Sequence, residues 1–129
     1  MSDALRLASV NVNGIRAAVR NGMHDWLGGA GVDVLTLQEV RATAADLAVA
    51  LPDWHIENDE SHTKGRSGVA IASRVAPVAV RRGLGDDTVD AAGRWIEADF
   101  EVGGQTVCVV SAYVHAGEVD TPDQEAEGL

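Results

Sequence analysis

Leu5-Arg6-Leu7-Ala8-Ser9-Val10-Asn11-Val12 runs straight into Asn13-Gly14, and Asp33-Val34-Leu35-Thr36-Leu37-Gln38 follows one helical pattern later. The first run partly alternates and is β-rich at its end, so it reads as a strand broken by the Asn-Gly pair. The second is a short, nearly continuous apolar run, the pattern of a largely buried strand. Between them Ile15, Ala18, Val19, Met23, Trp26 and Leu27 fall on one helical face. Asn13 is placed to cap this helix, and Gly28, Gly29 and Gly31 to stop it. Strand, helix, strand predicts two parallel strands joined by a crossover helix.

Outward from this unit the pattern shortens. Thr43-Ala44-Ala45-Asp46 has the form of a capping box opening a helix to about Leu51, with Pro52 ending it. Five short strands are predicted over Trp54 to Glu57, Gly68 to Ser73, Val78 to Arg82, Arg94 to Val102 and Gln105 to Tyr113. Gly103-Gly104 between the last two is a two-residue hairpin signal. Trp95, Glu97 and Asp99 alternate with Ile96, Ala98 and Phe100, so one face of that sheet packs and the other is wet. The expected fold class is α/β: a mixed β-sheet with flanking helices, packed on one side. Residues 1–117 form the domain, and 118–129 an acidic tail expected to be disordered. Two helices cover such a sheet poorly, and its second face has no evident partner in the chain.

The chain has 129 residues, 46% of them hydrophobic, which suits one globular domain. With one cysteine, Cys108, an intrachain disulfide is impossible. Its apolar neighbours Val107, Val109 and Val110 predict a small buried hydrophobe. The start has no signal-peptide character, and no apolar window is long enough for a membrane-spanning helix. The expected location is the cytoplasm, with no membrane partner. Twenty acidic residues against ten basic ones leave a net charge of -10, which argues against a general nucleic-acid binder unless basic groups gather locally.

Asn11, Glu39 and Tyr113 share one feature: each stands at the carboxyl end of a predicted strand, where open α/β sheets bind ligands. A carboxylate beside an amide suits a hard cation such as Mg²⁺. Taken singly, Glu39 also reads as a solvated strand-end acid and Asn11 as a turn residue.

Five words occur in order: Ser9-Val10-Asn11-Val12-Asn13-Gly14-Ile15-Arg16, Leu37-Gln38-Glu39-Val40-Arg41, Gly65-Arg66-Ser67-Gly68-Val69-Ala70-Ile71, Val80-Arg81-Arg82-Gly83 and Ser111-Ala112-Tyr113. Over about residues 5–120 the chain resembles the amino-terminal part of the exonuclease III family of abasic-site endonucleases, within the endonuclease/exonuclease/phosphatase superfamily. The resemblance implies half of a four-layer α/β-sandwich. It implies a Mg²⁺-dependent DNA-repair nuclease, with Mn²⁺ as an alternative ion, acting on duplex DNA at abasic sites or 3′ ends. It casts Glu39 as the metal-binding glutamate and Asn11 as the asparagine supporting metal and phosphate. Tyr113 becomes the active-site tyrosine, Arg94 an arginine on the DNA-facing side, and Arg16 and Arg41 backbone contacts.

The departures are equally definite. The family's later motifs, Gly-Asp-x-Asn and Ser-Asp-His, do not occur; Gly85-Asp86-Asp87-Thr88 is not the first of them. His24, His55, His62 and His115 match no catalytic histidine of the family. The expectation is therefore a truncated member that has lost its general base, completed by a missing carboxy-terminal half or self-associating through an exposed sheet. Two rivals stand beside the nuclease: a superfamily phosphoesterase acting on other phosphates, and a non-catalytic fragment.

Overall fold

A computed structural model describes residues 4–63 and 65–114, apart from the side chains of Thr88 and Val89. The expected tail at 118–129 and His115 lie outside the described residues. Among the described residues seven strands and four helices occur in the order β1 (Leu7–Asn11), α1 (Ile15–Arg20), α2 (Met23–Ala30), β2 (Val34–Gln38), α3 (Ala44–Ala50), β3 (His55–Asp59), β4 (Val69–Ser73), β5 (Ala79–Arg82), α4 (Asp87–Ala91), β6 (Trp95–Val102) and β7 (Gln105–Ala112).

β1 and β2 pair in parallel, Leu7 opposite Val34 and Asn11 opposite Gln38, as the strand–helix–strand reading requires. The helical stretch between them differs from expectation. It is two helices, parted at Asn21-Gly22, where Gly22 takes φ 98°. Asn13 does not cap α1: Gly14 is the N-cap residue and no side chain bonds there. Gly28 and Gly29 lie inside α2, and only Gly31, left-handed at φ 63°, ends it. The Thr43 capping box is present, with Asp46 Oδ2 accepting from Thr43 N and Thr43 Oγ1 accepting from Asp46 N. Helix α4 had no signal in the apolar spacing.

The strands form two sheets, β1-β2-β4-β3 and β5-β6-β7, the first mixed and the second antiparallel. One side of the first sheet carries Leu35, Leu37, Ala70 and Ala72, which pack with Ile15, Met23, Leu27, Leu47 and Leu51 of the helices. On its other side Val34, Val69 and Ile71 meet Ile96, Ala98, Phe100, Val102 and Val109 of the second sheet. The expectation of an uncovered second face is therefore corrected. β5–β7 do not extend the first sheet; they fold over it and bury its apolar side. Burial of roughly 1.5–3 kcal/mol per large apolar side chain drives that stacking.

The Gly103-Gly104 turn closes the β6–β7 hairpin with both φ values positive, 56° and 79°, between the paired residues Val102 and Gln105. The alternation along β6 holds: Ile96, Ala98 and Phe100 are buried. Cys108 corrects a second expectation, because β7's alternation turns it outward and exposed. There Arg81 donates to its sulfur and to Asp99. Desolvation first, and then Asp99, raises the thiol pKa, so it stays protonated.

Candidate active site

All the site's elements end at one end of the sandwich. β1 and β2 finish there, at Asn11 and Gln38. β3 and β4 are antiparallel with Asp59 opposite Val69, so the loop between them is at the same end. Trp95 opposite Ala112 brings Arg94 and Tyr113 together, and Tyr113 N donates to Arg94 O at 2.9 Å.

The loops there are stitched by backbone bonds. Gly14 N and Ile15 N donate to Glu39 O and Val40 O, Val40 N and Arg41 N donate to Gly68 O and Ser67 O, and Gly68 N donates to Gly93 O. This lacing holds three side-chain-bearing residues in left-handed backbone: Glu39 at φ 50°, Arg41 at 55° and Ser67 at 48°. Such conformations are costly for residues with a Cβ and cluster where function demands a fixed direction. Gly93 is required by space as well as by its φ of 62°. A Cβ there would lie 2.5 Å from Ser61 N and 2.7 Å from Asp59 O.

Glu39 is the centre. Its side chain is 17% exposed, and Arg41 Nη2 donates to its Oε1 at 3.0 Å. That bond first, then one from Asn11, with a smaller one from Tyr113, holds its pKa below the ordinary glutamate value. Asn11 Oδ1 accepts from Asn13 N at 3.0 Å, which leaves its amide NH₂ for the carboxylate. Three sequence-predicted residues thus converge: an ionised carboxylate, an amide and a phenol.

Beside them opens a cavity of about 590 Å³, lined by Glu39, Arg41, His62, Arg66, Arg94 and Tyr113 among others. Arg94 Nε is buried without a hydrogen-bond partner. Arg16 is elsewhere engaged, 2.9 Å from Asp46 of α3 and absent from the cavity lining. Sequence reasoning gave no role to His62 and Arg66. The polar run Ser61-His62-Thr63 between two strands, and glycines at 65 and 68, mark a loop but not its direction. At the back of this loop Asp59 Oδ2 is buried and unpartnered, and desolvation raises that carboxyl's pKa.

Among the described residues no group of three or more His, Cys, Asp or Glu side chains could hold a metal ion. A cation here would rest on one protein carboxylate. Mg²⁺ accepts that, since it keeps several waters and commonly takes only one or two carboxylates.

The domain is thus a two-sheet sandwich with helices on one side, an ionised carboxylate at its strand ends and an arginine-lined cavity beside it. Its family follows: the chain belongs to the Endonuclease/Exonuclease/phosphatase family, which matches residues 8–127. It is 33% identical over 98 residues to an exodeoxyribonuclease of Bacillus subtilis, covering 75% of this chain and 39% of that one. It is also 33% identical over 119 residues to the DNA repair nuclease APEX1 of Danio rerio, covering 85% and 36%. The solved AP endonuclease of Archaeoglobus fulgidus superposes with a TM-score of 0.72 at 29% identity, covering 96% of this chain and 47% of that one. The chain thus spans less than half the length of each of these relatives.

Proposed function

We propose that this chain supplies one part of a DNA-repair phosphodiesterase of the exonuclease III type, cutting duplex DNA at abasic sites and at 3′ ends in the cytoplasm. The observation that carries the reading is the strained, ionised Glu39 carboxylate, paired with Arg41, set beside Asn11 and Tyr113 and opening onto a cavity with three arginines. Relatives named as an exodeoxyribonuclease and a DNA repair nuclease support it.

Glu39 would hold Mg²⁺ or Mn²⁺, and the ion would supply charge neutralisation at the phosphate and a more acidic bound water. The protein's own groups do the rest. Asn11 keeps the Glu39 carboxylate oriented and ionised. Arg94 and Arg66 face the cavity, where they would meet phosphate oxygens without reading sequence. Arg41 is paired with Glu39 in this arrangement, so it reaches DNA only by exchanging that bond for a phosphate. Tyr113, whose phenol faces Glu39 here, would donate its one proton to a non-bridging oxygen only by giving up that contact. These arginines also answer the objection from net charge: three of the ten basic residues line one cavity.

Acid–base chemistry is the part these residues do not provide, and it contributes typically 10²–10⁴-fold. A complementing polypeptide carrying the Gly-Asp-x-Asn and Ser-Asp-His motifs would provide it. The two sheets offer it a seat. Among the described residues β1 and β7 each have one strand neighbour, and Leu7 on β1 is 51% exposed.

The test is cleavage of a labelled duplex with one abasic site, in Mg²⁺ or EDTA, by the chain alone and mixed with the carboxy-terminal half of an exonuclease III relative. We expect metal-dependent incision from the mixture and none with Glu39→Ala. Equal incision by Glu39→Ala refutes the assignment of the site. Faster hydrolysis of an inositol phosphate than of DNA refutes the substrate.

A further inference from the structure

Glu39 and Tyr113 belong to different sheets. Their separation is therefore set by how the two layers are locked, and apolar packing alone is tolerant of small slides. Arg82 of β5 joins the layers at the β3 edge, donating to Asn58 O and Glu57 Oε2 at 2.8 Å, and another polar link crosses directly beneath Glu39 and Tyr113. Gln38, the last residue of β2 and the neighbour of Glu39, donates from Nε2 to Ser111 Oγ on β7 at 3.1 Å. Ser111, two residues before Tyr113, is fully buried and donates in turn to Leu37 O at 2.8 Å. The same Gln38 amide reaches Ser9 Oγ at 3.2 Å and Thr36 Oγ1 at 3.4 Å. Ser9 is on β1, two residues before Asn11, so one side chain joins the strands that carry Asn11, Glu39 and Tyr113.

The placement is not what stability alone would choose. The interlayer space elsewhere is filled by Val34, Val69, Ile71, Ile96 and Phe100. A polar network in that space adds little net stability over well-packed apolar groups, but it fixes one geometry, because each misplacement leaves a buried group unsatisfied. We infer that Gln38 and Ser111 are positioning residues, a clamp between the sheets that holds Tyr113 against Glu39. Neither touches the substrate. They act through the residues beside them.

Tyr113 is the sole tyrosine, which gives the clamp a private reporter. With 3-fluorotyrosine incorporated, the ¹⁹F resonance reports the surroundings of that ring alone. Gln38→Leu and Ser111→Ala should each move this resonance, and the double variant should move it no further than the larger single change. Ile56→Val, on the helix-facing side of the first sheet, serves as a control for general loosening and should leave it in place. Mn²⁺ titrations followed by paramagnetic broadening of the same resonance give a second readout, which rests on the reading of Glu39 as a cation ligand. There the two clamp variants should weaken affinity by about three- to tenfold, the net worth of one hydrogen bond. A resonance unmoved by both clamp variants, or moved as much by Ile56→Val, overturns the inference. A resonance that moves as expected in a protein that Mn²⁺ never broadens sustains the clamp and removes the cation site instead.

Discussion

Replacing Phe100 by alanine tests whether the second sheet truly closes over the first. Phe100 is 1% exposed and packs in the interlayer cluster with Val34, Val69 and Ile71. It lies on β6 opposite Val107, toward the hairpin end and away from Tyr113. A buried phenylalanine removes about 150–250 Å² from water. At roughly 25 cal/mol per Å², and with a cavity left behind, truncation should cost about 3–5 kcal/mol. That is a large part of the ~5–15 kcal/mol that holds a domain together. For a chain of this length it corresponds to about 11–18 °C in Tm.

The assay is urea unfolding followed by tryptophan fluorescence, with Val110→Ala as its partner. Val110 sits on the outer face of the same hairpin and is 39% exposed, so its truncation should cost under about 1 kcal/mol. Similar small losses for both would mean that the inner face of β6 sees solvent, and the two-sheet packing would be refuted.

Gly93→Ala must push the 59–61 backbone aside, and should cost about 1–3 kcal/mol while altering the cavity, read as lost protection of the Gly68 amide in hydrogen exchange. Thr43→Ala removes the capping box of α3 and should cost about 1 kcal/mol by chemical denaturation, and Thr43→Ser should restore most of it. Glu39 has a depressed folded pKa, so its carboxylate stabilises the fold above the unfolded value of 4.5 and loses that contribution as pH falls through the folded pKa. Unfolding curves at several pH values should therefore show Glu39→Gln least stable relative to wild type near neutrality, with the gap closing in acid; a gap that widens in acid contradicts the hydrogen bonding described.

What could be read from the residues was mostly what is local. Leu7–Asn11 and Val34–Gln38 declare themselves by apolar pattern, Thr43 and Asp46 by capping chemistry, and Gly103-Gly104 by turn chemistry. Alternation along β6 tells which side chains are buried, but not against what. Ile96, Ala98 and Phe100 could have faced helices as readily as another sheet. The break at Asn21-Gly22 was hidden for a similar reason. Met23 and Leu27 stay in phase with Ile15, so apolar spacing runs on through the turn, while Trp26 in the same phase ends 47% exposed. At the site, Asn11, Glu39 and Tyr113 were legible as strand ends. The left-handed backbone of Glu39, Arg41 and Ser67 was not, because partners far along the chain impose it: Gly14 and Ile15 from one side and the 67–68 loop from the other.

That distinction bears on how the site works. Asn11 and Glu39 come from the helix-backed sheet, Tyr113 and Arg94 from the sheet laid over it, and His62 and Arg66 from the loop between β3 and β4. The cavity lining is thus drawn from both sheets and the loop between β3 and β4. Packing of Val69, Ile71, Ile96 and Val109 between the layers therefore sets the geometry of the candidate site as well as the fold. Arg82 of β5 also crosses the layers, to Asn58 O and Glu57 Oε2, and Gly68 N bonds Gly93 O, but the Gln38–Ser111 link lies within two residues of both Glu39 and Tyr113. A site assembled this way should be more sensitive to layer registry than to loss of any one surface charge. Clamp variants should then disturb Tyr113 more than Arg16→Ala does, since Arg16 spends its charge on Asp46 and stands apart from the cavity.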